Sequence, residues 1–313
     1  MCAARQMGSD VLGSDMKVLV TGGSGFIGTW IVKGLLEAGL DVRVFDLKED
    51  RRIGHALMGV DFDAAEWHVG DVSDRESLTV AAEGCGQIVH LAALLTPACA
   101  EDPHRGLAVN VAGTINVFEA ALAHGMRQVL YMSSASVYGP DDGLHPFPVT
   151  LYGVWKLAME GVARCYAQSH GIASAGYRPL VVYGPGREVG ISAGPTLAIA
   201  AAARGEAYTI PFSGSTDMLF VEDLVSAYVQ AATRTLSGAK TYSIVGEVAT
   251  VESWIDAIRH HIPHAELDCG GFVLPVTDTI DEGELRSDFP GVPRTSIATG
   301  VARTVEWYQA RNA

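Results

Sequence analysis

The chain has 313 residues, enough for one large domain or a large and a small one, and its 48% hydrophobic and 19% charged residues are ordinary for a globular α/β protein. A formal net charge of −14 argues against nucleic acid and anionic membrane surfaces as partners, because both would repel it. Five scattered cysteines, odd in number and never spaced CxxC, argue against a disulfide framework or zinc site and predict a reduced, cytoplasmic protein.

No apolar run is expected to reach the length of a membrane span. Residues 1–15, rich in Gly, Ser and Asp, lack the apolar core of a signal peptide and read as a flexible extension. From residue 16 onward short apolar runs alternate with helical patterns. Strands are predicted at 17–21, 41–46, 65–69, 87–92, 128–133 and 173–178, with helices near 26–38, 74–82, 105–124 and 152–170. Continuous apolar strands separated by helices imply a parallel sheet covered on both faces, hence a doubly wound α/β domain over 16–185. Beyond it the rhythm loosens. Helices at 195–204, 221–234, 251–261 and 296–310 and strands near 207–211, 241–245 and 266–269 suggest a smaller α+β substrate-binding region over 186–313, interleaved with the first domain.

The first strand runs into Thr21-Gly22-Gly23-Ser24-Gly25-Phe26-Ile27-Gly28 and then a helix. Gly22 and Gly25 let the backbone turn and approach a pyrophosphate, and Gly28 lets helix and strand pack closely. The free N–H groups of the helix start, at Phe26 and Ile27, then meet the phosphates. A lone glycine pattern is weak, but strand before and helix after are the context that confirms it. The second strand ends at Asp46, whose carboxylate suits ribose hydroxyls and repels a 2′-phosphate, favouring NAD over NADP. Lys48, Arg51 and Arg52 just beyond could soften that preference. Asp71, followed by Val72, is a candidate for the adenine end.

Tyr152 and Lys156 form YxxxK at a helix start, on one helix face. A lysine ammonium beside a phenol is expected to draw its pKa toward working pH, where it serves as general base. The strand 128–133 ends in Ser133-Ser134, where a doubly wound fold places chemistry.

On these residues, with HLAA (90–93), NVAGTINV (110–117), SSASVYG (133–139), YRPLVVYGPG (177–186) and GVARTVEWY (300–308), the chain resembles the extended short-chain dehydrogenase/reductases of the NAD-dependent epimerase/dehydratase family. The resemblance implies Tyr152 as acid/base, Lys156 as its pKa partner and nicotinamide-ribose ligand, and Ser134 as holder of the reacting oxygen. It implies Leu91, Ala92, Ala93, Ser133 and Pro179 at the NAD site, Asn110 as support for the active-site helix, Ser136 beside the substrate, and a homodimer.

The chain departs from members acting on nucleotide-diphospho-sugars. Where they carry Asn, Arg and an RPGD segment for the diphosphate, it has Val181, Thr216 and VLPVTDTIDEGE (273–284). Arg187 is left to serve a single carboxylate or phosphate. The dehydratase Asp-Glu pair is replaced by Ala135-Ser136. His260, His261 and His264 read as a solvated helix end, and no metal is expected. The expectation is hydride transfer at a secondary alcohol or ketone of a small sugar-like or hydroxy-acid substrate. A UDP-sugar 4-epimerase and a non-catalytic NAD-sensing protein are the alternatives.

Overall fold

The structure, a computed structural model, describes residues 16–312, so the extension expected at 1–15 lies outside the described residues. Within them the strands are β1 (Lys17–Thr21), β2 (Asp41–Asp46), β3 (Glu66–Val69), β4 (Gln87–His90), β5 (Gln128–Met132), β6 (Ala173–Arg178), β7 (Val181–Tyr183), β8 (Tyr208–Ser213), β9 (Ser215–Phe220), β10 (Ala239–Ser243), β11 (Glu247–Thr250) and β12 (Leu267–Val273). Seven form one all-parallel sheet in the order β10-β6-β5-β4-β1-β2-β3. Order reverses between β1 and β4, the crevice where such sheets bind ligands.

Alternation along each strand divides the core. Val18, Val20, Val42, Val44 and Leu130 pack beneath the helices Phe26–Glu37 and Val221–Ala232. Leu19, Phe45, Ile88, Val129 and Tyr131 face the opposite layer, built on Arg75–Ala81, Gly113–Ala123 and Leu151–His170. Both faces are thus buried, which is why these strands read as continuous apolar runs. A third cluster, with Tyr183, Phe212, Phe220 and Trp254, fills the smaller region. There β9 lies between β7 and antiparallel β11, and β12 pairs with β8.

The sequence missed β7, β9 and β11, and the helix Arg52–Met58. β7 spans three residues and β11 is the four-residue run EVAT, so neither is long enough to show a usable period. β10 and Val221–Ala232 come from beyond residue 186, yet they complete the large sheet and its helical layer. One expectation is corrected: the helical run Pro103–Ala123 is apolar and long enough to cross a membrane, by length and composition. Half of its apolar window is buried within the fold, as in a core helix of a globular protein.

Candidate active site

A cavity of about 800 Å³ opens at the C-terminal ends of β1, β2, β4, β5 and β6 and extends toward the smaller region. Gly22, Gly25, Phe26, Ile27, Gly28, Asp46, Asp71, Val72, Leu91, Ala92, Ala93, Ser133 and Pro179 line one part of it. Gly22 sits at φ +76°, and a Cβ there would lie 2.6 Å from the Ala92 nitrogen; a Cβ on Gly28 would lie 2.1 Å from the Gly22 carbonyl oxygen. Gly25 is different. A Cβ there would meet nothing nearer than 3.4 Å, so the protein's own packing does not demand glycine. The helix that follows has no side-chain cap and no acidic residue in its first turn, so its leading N–H groups suit an anion. Both features fit a dinucleotide diphosphate.

Asp46 accepts from the backbone N–H of Ser24 at 2.9 Å and of Leu47 at 2.7 Å, which fixes its carboxylate at the end of β2. The basic cluster expected to soften its preference is occupied elsewhere. Lys48 and Arg52 pair with Asp50 at 3.4 and 3.0 Å, and Arg51 pairs with Glu49 and Asp63. Two like charges about 4 Å apart repel by roughly 1–4 kcal/mol between bulk water and a protein surface. NADP is therefore expected to bind at least tenfold more weakly than NAD. Replacing Asp46→Ala should narrow the gap, as calorimetric titration of both cofactors would show; equal affinities in the unaltered protein would place Asp46 away from the ribose.

Asp71 is tied to Arg105 and accepts from Ser73 N at 2.8 Å. Asn110 corrects the expectation placed on it. It lies behind the wall, buried at the π-helical turn Ala108–Ala112, and does not line the cavity. Its amide accepts from Leu94 N and donates to Leu94 O, at 2.8 and 2.9 Å. It therefore braces the loop after β4.

Thr150 caps that helix by accepting from Gly153 N at 3.1 Å, placing Tyr152 in its first turn and Lys156 one turn on. A Cβ on Gly153 would meet the Ser136 carbonyl oxygen at 2.3 Å, so this glycine lets the helix press on the Ser134–Ser136 segment. Ser134, Ser136, Tyr152 and Lys156 all line the cavity. Ser134 Oγ accepts from Ser136 N and bonds Ser136 Oγ, each at 3.1 Å. Buried Lys156 Nζ donates to the Met132 carbonyl at 2.7 Å and stands 5.5 Å from the Tyr152 ring centre.

The electrostatics reverse the expected direction. Burial pushes the Tyr152 phenol up to about 12, against the opposing hydrogen bond of Ser134. Burial pulls the Lys156 ammonium down to about 7. Burial thus disfavours the charged form of each, and the pocket by itself favours the neutral phenol.

A network missed by the sequence reading supports this wall. Ser133 Oγ donates to Glu160 Oε1 at 2.6 Å, and Arg178 reaches both Glu160 oxygens at 2.7 and 2.5 Å. Arg178 also donates to the Tyr138 hydroxyl at 2.6 Å. Only the eighteen-residue separation of Glu160 and Arg178 was visible in the chain, and nothing local marks such a pair.

On the other side of the cavity, Val181 and Val273-Leu274-Pro275-Val276 line the wall without a positive charge. Thr216 is buried outside the cavity. Arg204 pairs with Glu206, Arg286 pairs with Glu282, and neither lines the cavity. Arg187 does line it. It is almost wholly buried, donates to the Val182 carbonyl and to Ser192 Oγ (2.7 Å), and has no carboxylate partner among the described residues.

Residues 18–245 match the NAD dependent epimerase/dehydratase family. A probable UDP-glucuronate 4-epimerase of Rhizobium meliloti (strain 1021) is 29% identical, the match covering 94% of this chain and 97% of that one. Among solved structures, MoeE5 in complex with UDP-glucuronic acid and NAD is 27% identical, with a TM-score of 0.80 over 95% of this chain and 100% of that chain. A partial consensus L-threonine 3-dehydrogenase superposes with a TM-score of 0.85 at 24% identity, over 94% and 99% of the two chains.

Proposed function

The chain belongs to the NAD-dependent epimerase/dehydratase family, and from that premise we propose that it moves a hydride between NAD and a secondary alcohol or ketone of a small sugar-like or hydroxy-acid substrate. The observation that carries this reading is the meeting of Ser134, Tyr152 and Lys156 in the same cavity as the glycine loop and Asp46. NAD, when bound, supplies the hydride acceptor. The loop Gly22–Gly28 would hold its diphosphate, Asp46 its adenosine ribose, Asp71 and Val72 its adenine end, and Lys156 its nicotinamide ribose, with Pro179 near the carboxamide. Ser134 Oγ orients the substrate oxygen. Tyr152 takes the hydroxyl proton on oxidation and returns it on reduction, and the Lys156 ammonium stabilises the phenolate.

A UDP-sugar 4-epimerase would use the same three residues, and the names of the relatives matched over the full chain favour it. The substrate side of the cavity weighs against it, since Val181, Thr216 and the 273–276 segment offer a diphosphate no charge. Each charge-assisted bond lost costs about 1.5–3 kcal/mol, so three should weaken a nucleoside diphosphate by more than about a thousandfold. UDP is therefore expected to bind no tighter than millimolar. Calorimetric titration of UDP, run beside an NAD-reduction screen over uronic, aldonic and hydroxy acids, tests both readings. Micromolar UDP affinity would make the epimerase the better one.

A further inference from the structure

Resting on that reading and narrowing it, we infer that the substrate is a hydroxy acid with an apolar body, its carboxylate drawn to Arg187 and its hydrocarbon part held by an apolar wall. Beyond Ser134 and Tyr152, that wall is built from Leu94, Leu180, Val181, Leu274, Pro275 and Val276. A sugar has a hydroxyl on nearly every carbon, and each one desolvated without a partner costs about 1–3 kcal/mol. A hydrocarbon chain loses nothing there and gains burial.

The rim repeats the pattern. Leu95, Val189, Ile191, Phe272 and Val273 come from three separate segments and border the same cavity. All are exposed, Val189 at 77% and Val273 at 63%. Isolated surface apolar residues are ordinary, but five around one opening mark a path for an apolar molecule.

Arg187 supplies the remaining requirement. Lys48, Arg52 and Arg105, also on the cavity wall, each have a carboxylate partner; Arg187 has none among the described residues, and its Nε is buried without an acceptor. Burial pulls its guanidinium down to about 10, the sign of an uncompensated charge. An arriving anion offsets that cost, and one guanidinium matches one carboxylate. In the oxidation the carbinol carbon gives up its hydride to NAD, the hydroxyl proton goes to Tyr152, and a keto acid leaves with its carboxylate unchanged.

The test uses the full chain with saturating NAD and straight-chain 3-hydroxy acids of four to eight carbons, beside glucuronate and UDP-glucose. kcat/KM is expected to rise about fourfold per added methylene, the equivalent of ~0.8 kcal/mol for each one buried, mainly through KM. Arg187→Leu should raise KM for the acids at least tenfold while barely changing it for neutral alcohols of equal length. Phe272→Asp should flatten the chain-length series. Binding is read independently with 1-anilinonaphthalene-8-sulfonate, an apolar body with one anionic group. One molecule per chain should bind, be displaced by the eight-carbon acid, and be lost in Arg187→Leu at unchanged circular dichroism. A flat series with faster turnover of glucuronate or UDP-glucose overturns the substrate class and leaves hydride transfer standing. Displaceable probe binding without turnover of any compound supports the class and sinks hydride transfer. The absence of both acid turnover and probe binding overturns the inference.

Discussion

Tyr152→Phe is expected to lower kcat at least 100-fold and leave NAD affinity nearly unchanged, because it removes one oxygen and no other wall of the cavity. The size of the loss follows from the groups around that oxygen. Ser134, the side chain hydrogen-bonded to the Tyr152 phenol, is an alcohol and cannot replace it as the base for the substrate proton. Lys156→Ala should damage both turnover and cofactor affinity, since the ammonium serves both. Oxidation by the unaltered enzyme should rise with pH through the alkaline range, as the raised Tyr152 phenol loses its proton, and the residual rate of the Phe variant should lack that rise. Near-normal turnover by Tyr152→Phe would remove it from the chemistry. Lys156 also leaves a mark on stability. Its folded pKa lies below the usual 10.5, so the unfolded chain binds the extra proton between about 7 and 10.5. Its penalty is full below pH 7 and fades as pH rises across that window, a slope that Lys156→Met should abolish in denaturation midpoints.

The parts of this molecule legible in its sequence are those written locally. β1, the glycine loop and the helix after it are contiguous, and their order alone is specific. The YxxxK spacing is set by helix geometry, and the strand end at Ser134 by sheet topology. β9 is different: STDMLF runs straight into a helix, so its strand period ends before it can be counted. The pKa direction at Tyr152 differs from the expected one because a nearby lysine is visible in the chain, whereas the burial of both side chains is not. Asn110 is placed by likeness, and only the fold shows that its amide bonds Leu94 at both ends and Cys99 besides. The bare charge of Arg187 is likewise invisible in a sequence, where the neighbouring residues tell nothing of which carboxylates come near in the fold.

Glu160→Gln should be the most destabilising single change near the site, at about 3–5 kcal/mol, because it leaves the Arg178 guanidinium buried beside an uncharged partner. Glu160 has no exposed side-chain surface, and that of Arg178 is 13% exposed. Burial alone would lower the Arg178 pKa, yet the hydrogen bonds and charge of Glu160 outweigh it and hold it above the ordinary arginine value. The glutamine amide can accept through only one oxygen, whereas Glu160 uses one oxygen for Ser133 and Arg178 Nε and the other for Arg178 Nη2. An N–H would then face a guanidinium N–H. Removing the guanidinium as well, in Glu160→Gln with Arg178→Met, should recover part of the loss, since the cost lies in the stranded charge rather than in the missing attraction. Turnover should fall with stability, because Ser133 adjoins Ser134 and follows Met132, whose carbonyl holds Lys156. Urea denaturation at constant m-value measures the first effect, and kcat against NAD affinity the second. A loss under about 1 kcal/mol would mean that Arg178 finds water or another acceptor, and that the pair does not support the catalytic wall.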